Sequence, residues 1–129
     1  MVAVVVLTVQ GLTGNLVNLF ATSPSGSVGQ SFGGLTTAIS SAGALTAFHA
    51  SEGALLVTLS LVVLGLSYES KKASLQILSI LAMATVMSAM VGGVLFALSG
   101  FQSKTDSAQM GVSFIGAYAF YLLELYLTK

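Results

Sequence analysis

The chain has 129 residues, of which 55% are hydrophobic and only 6% are charged, and its mean hydropathy is +0.96. A soluble domain carries about 25% charged residues, so this chain lacks the side chains that would cover a water-facing surface. Its formal net charge is zero, and it contains neither arginine nor cysteine. This composition argues against a basic nucleic-acid surface, a disulfide framework and a thiolate metal site. It predicts an all-α integral membrane protein.

Four apolar stretches predict four transmembrane helices, because each span needs about 20 residues. The predicted spans are residues 2–20, 45–68, 73–99 and 108–127 of one domain covering 1–129. A signal peptide is the competing interpretation of the first stretch, but the positively charged region that begins such peptides is missing. We therefore expect a four-helix transmembrane bundle.

Residues 21–44 join the first two spans and carry no charge. Ser23-Pro24-Ser25-Gly26 is typical of a turn, because proline presets one backbone dihedral and glycine is conformationally free. Beyond it, Phe32, Leu35 and Ile39 recur at helical spacing. The segment is expected to be an outer loop or a short interfacial helix, and an extension of the second span is equally compatible.

The lysine distribution predicts the orientation of the spans. Lys71, Lys72 and Lys129 fall on one side of the predicted bundle and Lys104 falls on the other. Because cytoplasmic loops carry the excess of lysine and arginine, both termini are expected in the cytoplasm and the protein in the cell membrane. Residues 21–44 and His49 then lie near the outer face.

Small residues recur at every fourth position of the third span, at Ala84, Ser88 and Gly92, and the fourth span carries Ser113 and Ala117. Lipid gives apolar helices no hydrophobic reason to associate, so small residues that allow close backbone approach supply the packing. These faces predict contacts inside the bundle or, alternatively, self-association.

A weak repeat suggests two αα units. Residues 10–17 of the first span resemble residues 88–95 of the third, and residues 49–53 resemble residues 107–111. Two helices per unit would make the halves parallel rather than inverted.

The candidate site is a layer of polar residues near the outer ends of the spans. Its members are Asn15, Asn18, His49, Glu52, Gln109 and Met110. Three-residue spacing on a helix places His49 and Glu52 on one face. Ionisable groups inside a span are costly and normally face the protein interior or water, so they indicate a functional site.

His49 is the only histidine, and three roles for it stay open: a hydrogen-bonded structural residue, a heme or metal ligand, or a proton relay. Histidine and methionine both serve as axial heme ligands, so heme b could be held by His49 with Met110 or with His49 of a second copy. Glu52 is expected to be solvated at the helix mouth or hydrogen-bonded to His49. Glu124 is expected to pair with the interface or with Lys129, and the tyrosines of the last span to form an interfacial belt.

No nucleophile–base pair, phosphate-binding glycine loop or zinc-ligand spacing is present in the sequence. A non-catalytic protein is therefore favoured, and no catalytic residue is predicted. A channel or transporter is less favoured, because an ion pore would want charged or carbonyl-lined rings along the span.

Two short segments resemble half of the heme A synthase fold: Gln10-xxx-Gly14-Asn15-Leu16-Val17 in one helix, and His49-xxx-Gly53 opening the next. In that family a four-helix unit is duplicated and histidines at helix ends bind heme. The resemblance implies that His49 is a heme ligand, while Ser107 stands where a second ligand histidine would be wanted. Gly100-Phe101 and the stretch 121–126 are similar to small uncharacterised four-span membrane proteins.

The sequence thus favours a small accessory or assembly subunit of a larger membrane complex, such as a respiratory one. Its expected partners are the lipid bilayer and other membrane subunits or a second copy. The alternative is a heme-binding electron-transfer protein that uses His49.

Overall fold

The computed structural model describes residues 1–20 and 32–128, without the side chain of Phe32. These residues form five α-helices and no strand: α1 (Val2–Phe20), α2 (Phe32–Ser41), α3 (Ala44–Glu69), α4 (Ala73–Leu98) and α5 (Lys104–Leu127). The prediction of an all-α fold is confirmed.

Four of these helices are long and apolar enough to cross a bilayer. They are α1, α3, α4 and α5, with 19, 26, 26 and 24 residues. Each corresponds to one of the four predicted spans. Their large apolar side chains are extensively exposed, as expected of helices that face lipid rather than water.

The fourth span was expected to begin at residue 108, whereas α5 begins at Lys104. Ser103 is the N-cap of α5, and its side chain accepts a 3.3 Å hydrogen bond from the backbone N–H of Asp106. Asp106 itself lies in the first turn, where a negative charge offsets the helix dipole. A serine followed three residues later by an acidic residue is a helix-start signal, and here it outweighs the polarity of the segment.

The segment before the second long helix contains a separate helix, α2. Gly43 has a φ of +99° between α2 and α3, a conformation that favours glycine and interrupts the helix. The alternative of one continuous extended span is therefore wrong. The predicted turn at Ser23–Gly26 lies outside the described residues.

The four long helices form an antiparallel ring. Helix α1 contacts α3 and α5, and α4 contacts the same two helices from the other side. Helix α2 packs against α3 and α4. We call the end of the bundle that holds α2 and the start of α3 and α5 the α2 end, and the opposite end, with Lys71 and Lys72, the lysine end.

Small residues allow α4 and α5 to approach closely. A Cβ placed on Gly92 would lie 3.1 Å from backbone atoms of Asp106 and Met110. The hydroxyls of Ser113 and Ser88 are joined by a 2.9 Å hydrogen bond across the same interface. Packing within the bundle thus uses part of the predicted small-residue face, although Ala84 is exposed. The twofold αα repeat stays a prediction.

The apolar core lies toward the lysine end of the bundle. Its buried members are Ala3, Leu7, Leu56, Ala82, Val86, Ala117 and Tyr121. Tyr121 is therefore a core residue and not part of an interfacial belt. Glu124 is also buried, rather than placed at the interface, and accepts a hydrogen bond from Ser79 of α4. Its expected pairing with Lys129 involves a residue outside the described part.

Candidate functional site

The helices surround a partly open cavity of 380 Å³ in the half of the bundle nearer the α2 end. All five helices contribute to its wall. Most of the lining is apolar, and the polar lining residues are Gln10, Asn15, Asn18, Thr46, His49 and Ser107. A concave, mainly apolar space with a few polar groups is the usual form of a small-molecule site, and its volume lies within the common range of about 300–1,000 Å³.

A chain of hydrogen bonds crosses from α1 to α3 at the wall of this cavity. Gln10 Nε2 lies 3.4 Å from His49 Nε2, and Thr13 Oγ1 lies 3.0 Å from His49 Nδ1. Thr13 also donates a 2.7 Å hydrogen bond to Oε2 of Glu52. Thr13 and Glu52 are each 8% exposed. They stand behind His49, outside the cavity lining.

The donors and acceptors of this chain fix its direction. Thr13 has one hydroxyl proton, and the short bond to the carboxylate takes it in preference to the 3.2 Å contact with the Gln10 carbonyl. His49 Nδ1 must then donate to Thr13, which leaves Nε2 as the acceptor that faces the Gln10 amide. Thr13 therefore sets the histidine tautomer in the way that second-shell groups do in metal and catalytic sites.

Gly14 provides the room that the imidazole needs. A Cβ at this position would lie 2.9 Å from Cε1 of His49, closer than real Cβ contacts come. Helix α1 can therefore approach α3 at this level only because residue 14 is glycine.

One acceptor in the cluster has no partner among the described residues. Gln10 Oε1 is buried and makes no hydrogen bond there. An unsatisfied buried polar group costs about 1–3 kcal/mol, so it marks a place where an additional donor would stabilise the structure.

The structure brings together only part of the predicted polar layer. His49 and Glu52 are joined through Thr13, and Met110 lines the same cavity from α5. Asn15 and Asn18 are exposed lining residues near the α2 end. In contrast, Gln109 is exposed, lies outside the lining and donates to the backbone carbonyl of Ser88 at 3.4 Å.

Glu52 differs from its expected environment, because it is buried rather than solvated. The residues that hold the cluster together, Gln10 and Thr13, were not among the predicted site residues. One signal in the sequence points to them. Gln10, Thr13 and Gly14 share one face of a helix, and none of the three is apolar, whereas the turns before and after them on that face are apolar.

Heme ligation by His49 would disturb the hydrogen-bond chain. Both ring nitrogens of His49 already have hydrogen-bond partners, and the ring edge is packed against Gly14. Coordination of iron would require the loss of one of these contacts. Across residues 1–20 and 32–128, no group of three or more His, Asp or Glu side chains is placed to hold a metal ion.

The chain matches no protein-family model, no curated protein sequence and no solved structure. The site must therefore be interpreted from its own geometry.

Proposed function

We propose that this protein is a multi-pass protein of the cell membrane, with both termini in the cytoplasm, built as a four-helix transmembrane bundle. Four long apolar helices support the membrane placement. The lysines at the turn between α3 and α4, compared with Lys104 alone at the α2 end, support the orientation.

We further propose that it acts as a non-catalytic accessory or assembly subunit of a larger membrane complex. The observation that carries this proposal is the outward face of α3. A row of small side chains runs along the middle of that face, and we call it the α3 stripe. Its members are Ala47, Ser51, Ala54, Thr58 and Gly65, all exposed.

The spacing of the α3 stripe is that of a helix-packing seam. Its members follow one another at intervals of four, three, four and seven residues, so they lie in one line along the helix, in which the exposed Leu61 stands between Thr58 and Gly65. Larger side chains such as Phe48, Leu55 and Val62 border the line on one side. Small residues at lipid-exposed positions permit close approach of another helix backbone, which is the main source of helix association in membranes.

Although Ala84 on α4 and Gly111 and Ala119 on α5 are small and exposed, the other long helices present mainly large side chains on their outer faces. Examples are Val9 and Leu12 on α1, Ile77 on α4, and Val112 and Ile115 on α5, all exposed. Such surfaces suit lipid chains. The contrast singles out α3 as the face for a transmembrane helix of another subunit.

Matched substitutions test this assignment. Ala47→Leu fills the α3 stripe, whereas Ala119→Leu makes the same change on the exposed face of α5. After extraction from native membranes in mild detergent, we expect the wild-type chain and A119L to sediment with a second membrane polypeptide, and A47L to sediment without it. A wild-type chain that is stable at its own protein mass of 13.1 kDa, or associated only with its own copies, would contradict the accessory role.

Heme binding by His49 with Met110 is the second hypothesis, because both residues line one cavity. The geometry favours it less, since the imidazole nitrogens are engaged on both sides. Oxidised and dithionite-reduced absorption spectra of the purified protein test it. A Soret band that is lost in His49→Ala would establish it.

A further inference from the structure

We propose that the cavity binds a single-chain amphiphile with an uncharged head group that donates a hydrogen bond, that is, a long-chain alcohol. This inference rests on the membrane placement proposed above. Its residues differ from those of the accessory role, because Ala54 is the one member of the α3 stripe that lines the cavity.

The shape of the cavity fits one extended hydrocarbon chain. Its lining on α1 runs from Leu7 to Asn18, and its lining on α4 from Val86 to Ala97. At 1.5 Å per residue each run spans roughly 16 Å along the bundle axis. Over that length, 380 Å³ corresponds to a channel of about 24 Å² in cross-section. A mean cross-section of this size accommodates one alkyl chain.

The polarity of the lining changes along the cavity in the way an amphiphile requires. The deep end is formed by Leu7, Val86 and Ala117, which belong to the apolar core. Toward the α2 end the wall includes Asn15 and Asn18, both exposed. An alkyl tail can therefore occupy the deep part while the polar head stays nearer the end of the bundle.

The polar groups in the wall select the head group. His49 Nε2 already faces the Gln10 amide as an acceptor, so the acceptor without a partner among the described residues is Gln10 Oε1. This oxygen is buried, so an incoming hydroxyl can donate to it once the Gln10 amide turns toward the cavity. A fatty carboxylate has no proton to donate and would lose its hydration in a mainly apolar space. A charged amine would lose its hydration in a mainly apolar space.

Photolabelling in lipid vesicles tests the proposal. The full chain is reconstituted in phosphatidylcholine vesicles with a long-chain alcohol that carries a diazirine on its tail, and the labelled residues are mapped by mass spectrometry. We expect saturable labelling of cavity-lining residues such as Val86 and Ala117. We also expect competition by 1-dodecanol at concentrations at least tenfold below those needed of dodecanoate or dodecane.

Two matched pairs of variants locate the site. Ala89→Phe fills the cavity and should abolish labelling of the lining, whereas Ala84→Phe, on the exposed face of α4, should not. Gln10→Leu should weaken competition by dodecanol about tenfold without changing that of dodecane. Gln109→Leu, which lies outside the cavity, should leave both unchanged.

Labelling confined to outward residues such as Val112 and Ile115, or labelling unaffected by A89F, would overturn the site. Equal competition by dodecanol and dodecanoate would overturn the head-group assignment. A chain that fails to enter the vesicles would instead refute the membrane placement. Circular dichroism of each variant confirms that the helices are retained.

Discussion

The hydroxyl of Thr13 on α1 donates a 2.7 Å hydrogen bond to the carboxylate of Glu52 on α3, and both side chains are buried. This bond connects two helices that no short turn joins. It also leaves the Thr13 oxygen as the acceptor for Nδ1 of His49. One hydroxyl therefore satisfies a buried carboxylate and orients the imidazole at the cavity wall.

Thr13→Val should destabilise the bundle by about 1–2 kcal/mol, because it keeps the side-chain shape and removes the donor to Glu52. Thr13→Ser should retain most of the stability. Thr58→Val is the control, since this exposed hydroxyl donates only to the carbonyl of Ala54 in its own helix. Unfolding by SDS in mixed micelles, followed by circular dichroism, measures the difference. Equal midpoints for T13V and T58V would contradict the role assigned to the bond.

Gly14→Ala should be destabilising by about 1–2 kcal/mol, although alanine is the better helix former. The new Cβ would lie 2.9 Å from Cε1 of His49, and the ring can retreat only by losing its bonds to Gln10 and Thr13. Gly111→Ala, which introduces a Cβ into open space on α5, should be neutral or stabilising.

A double-mutant cycle separates this clash from a general effect of the substitution. His49→Ala removes the ring, so Gly14→Ala should cost little when it is introduced into that background. The same unfolding assay applies. A cost for G14A that is unchanged in the His49→Ala background would show that the imidazole is not the obstacle.

The long helices could be predicted from the sequence because their signal is local. Stretches of about 20 apolar residues specify spans by length and composition alone, and the i, i+3 spacing of His49 and Glu52 is fixed by helical geometry. A short helix within residues 21–44 could be named as one alternative because the helical spacing of its apolar residues is also a local signal. The start of α5 at Lys104 depends on the N-cap Ser103, a local signal that the polar composition of the loop obscured.

The hydrogen-bond partners of His49 could not be predicted in the same way. Apolar residues lie on every side of α1, so its sequence does not show which side meets α3. The rotation that buries Thr13 and leaves Asn15 exposed follows from how closely Gly14 allows the two helices to approach. The placement of Gln109 next to Ser88 likewise depends on the rotation of α5 against α4.

Adjacent glycines on α4 should respond differently to alanine. At Gly92 the added Cβ would meet backbone atoms of Asp106 and Met110 at 3.1 Å, and backbone cannot rotate away. At Gly93 it would meet only the Met110 sulfur at 3.4 Å, an ordinary contact with a flexible side chain. We expect G92A to lose about 1–3 kcal/mol in the SDS assay and G93A to stay within about 0.5 kcal/mol of wild type. The reverse order would contradict the close approach of α4 and α5.

The proposed orientation predicts which ends of the helices face the outside of the cell. The chain has no cysteine, so a single cysteine introduced at an exposed position is the only thiol in the protein that a maleimide can label. Gln102→Cys lies in the loop at the α2 end and Ser74→Cys in the first turn of α4 at the lysine end. A membrane-impermeant maleimide applied to intact cells should label Q102C, and it should label S74C only after the membrane is opened. This follows from the proposed orientation, in which the end with Lys71 and Lys72 is cytoplasmic. Labelling of S74C alone in intact cells would invert the orientation and place the α2 end in the cytoplasm. Labelling of both positions would show that the bundle does not span the membrane as proposed.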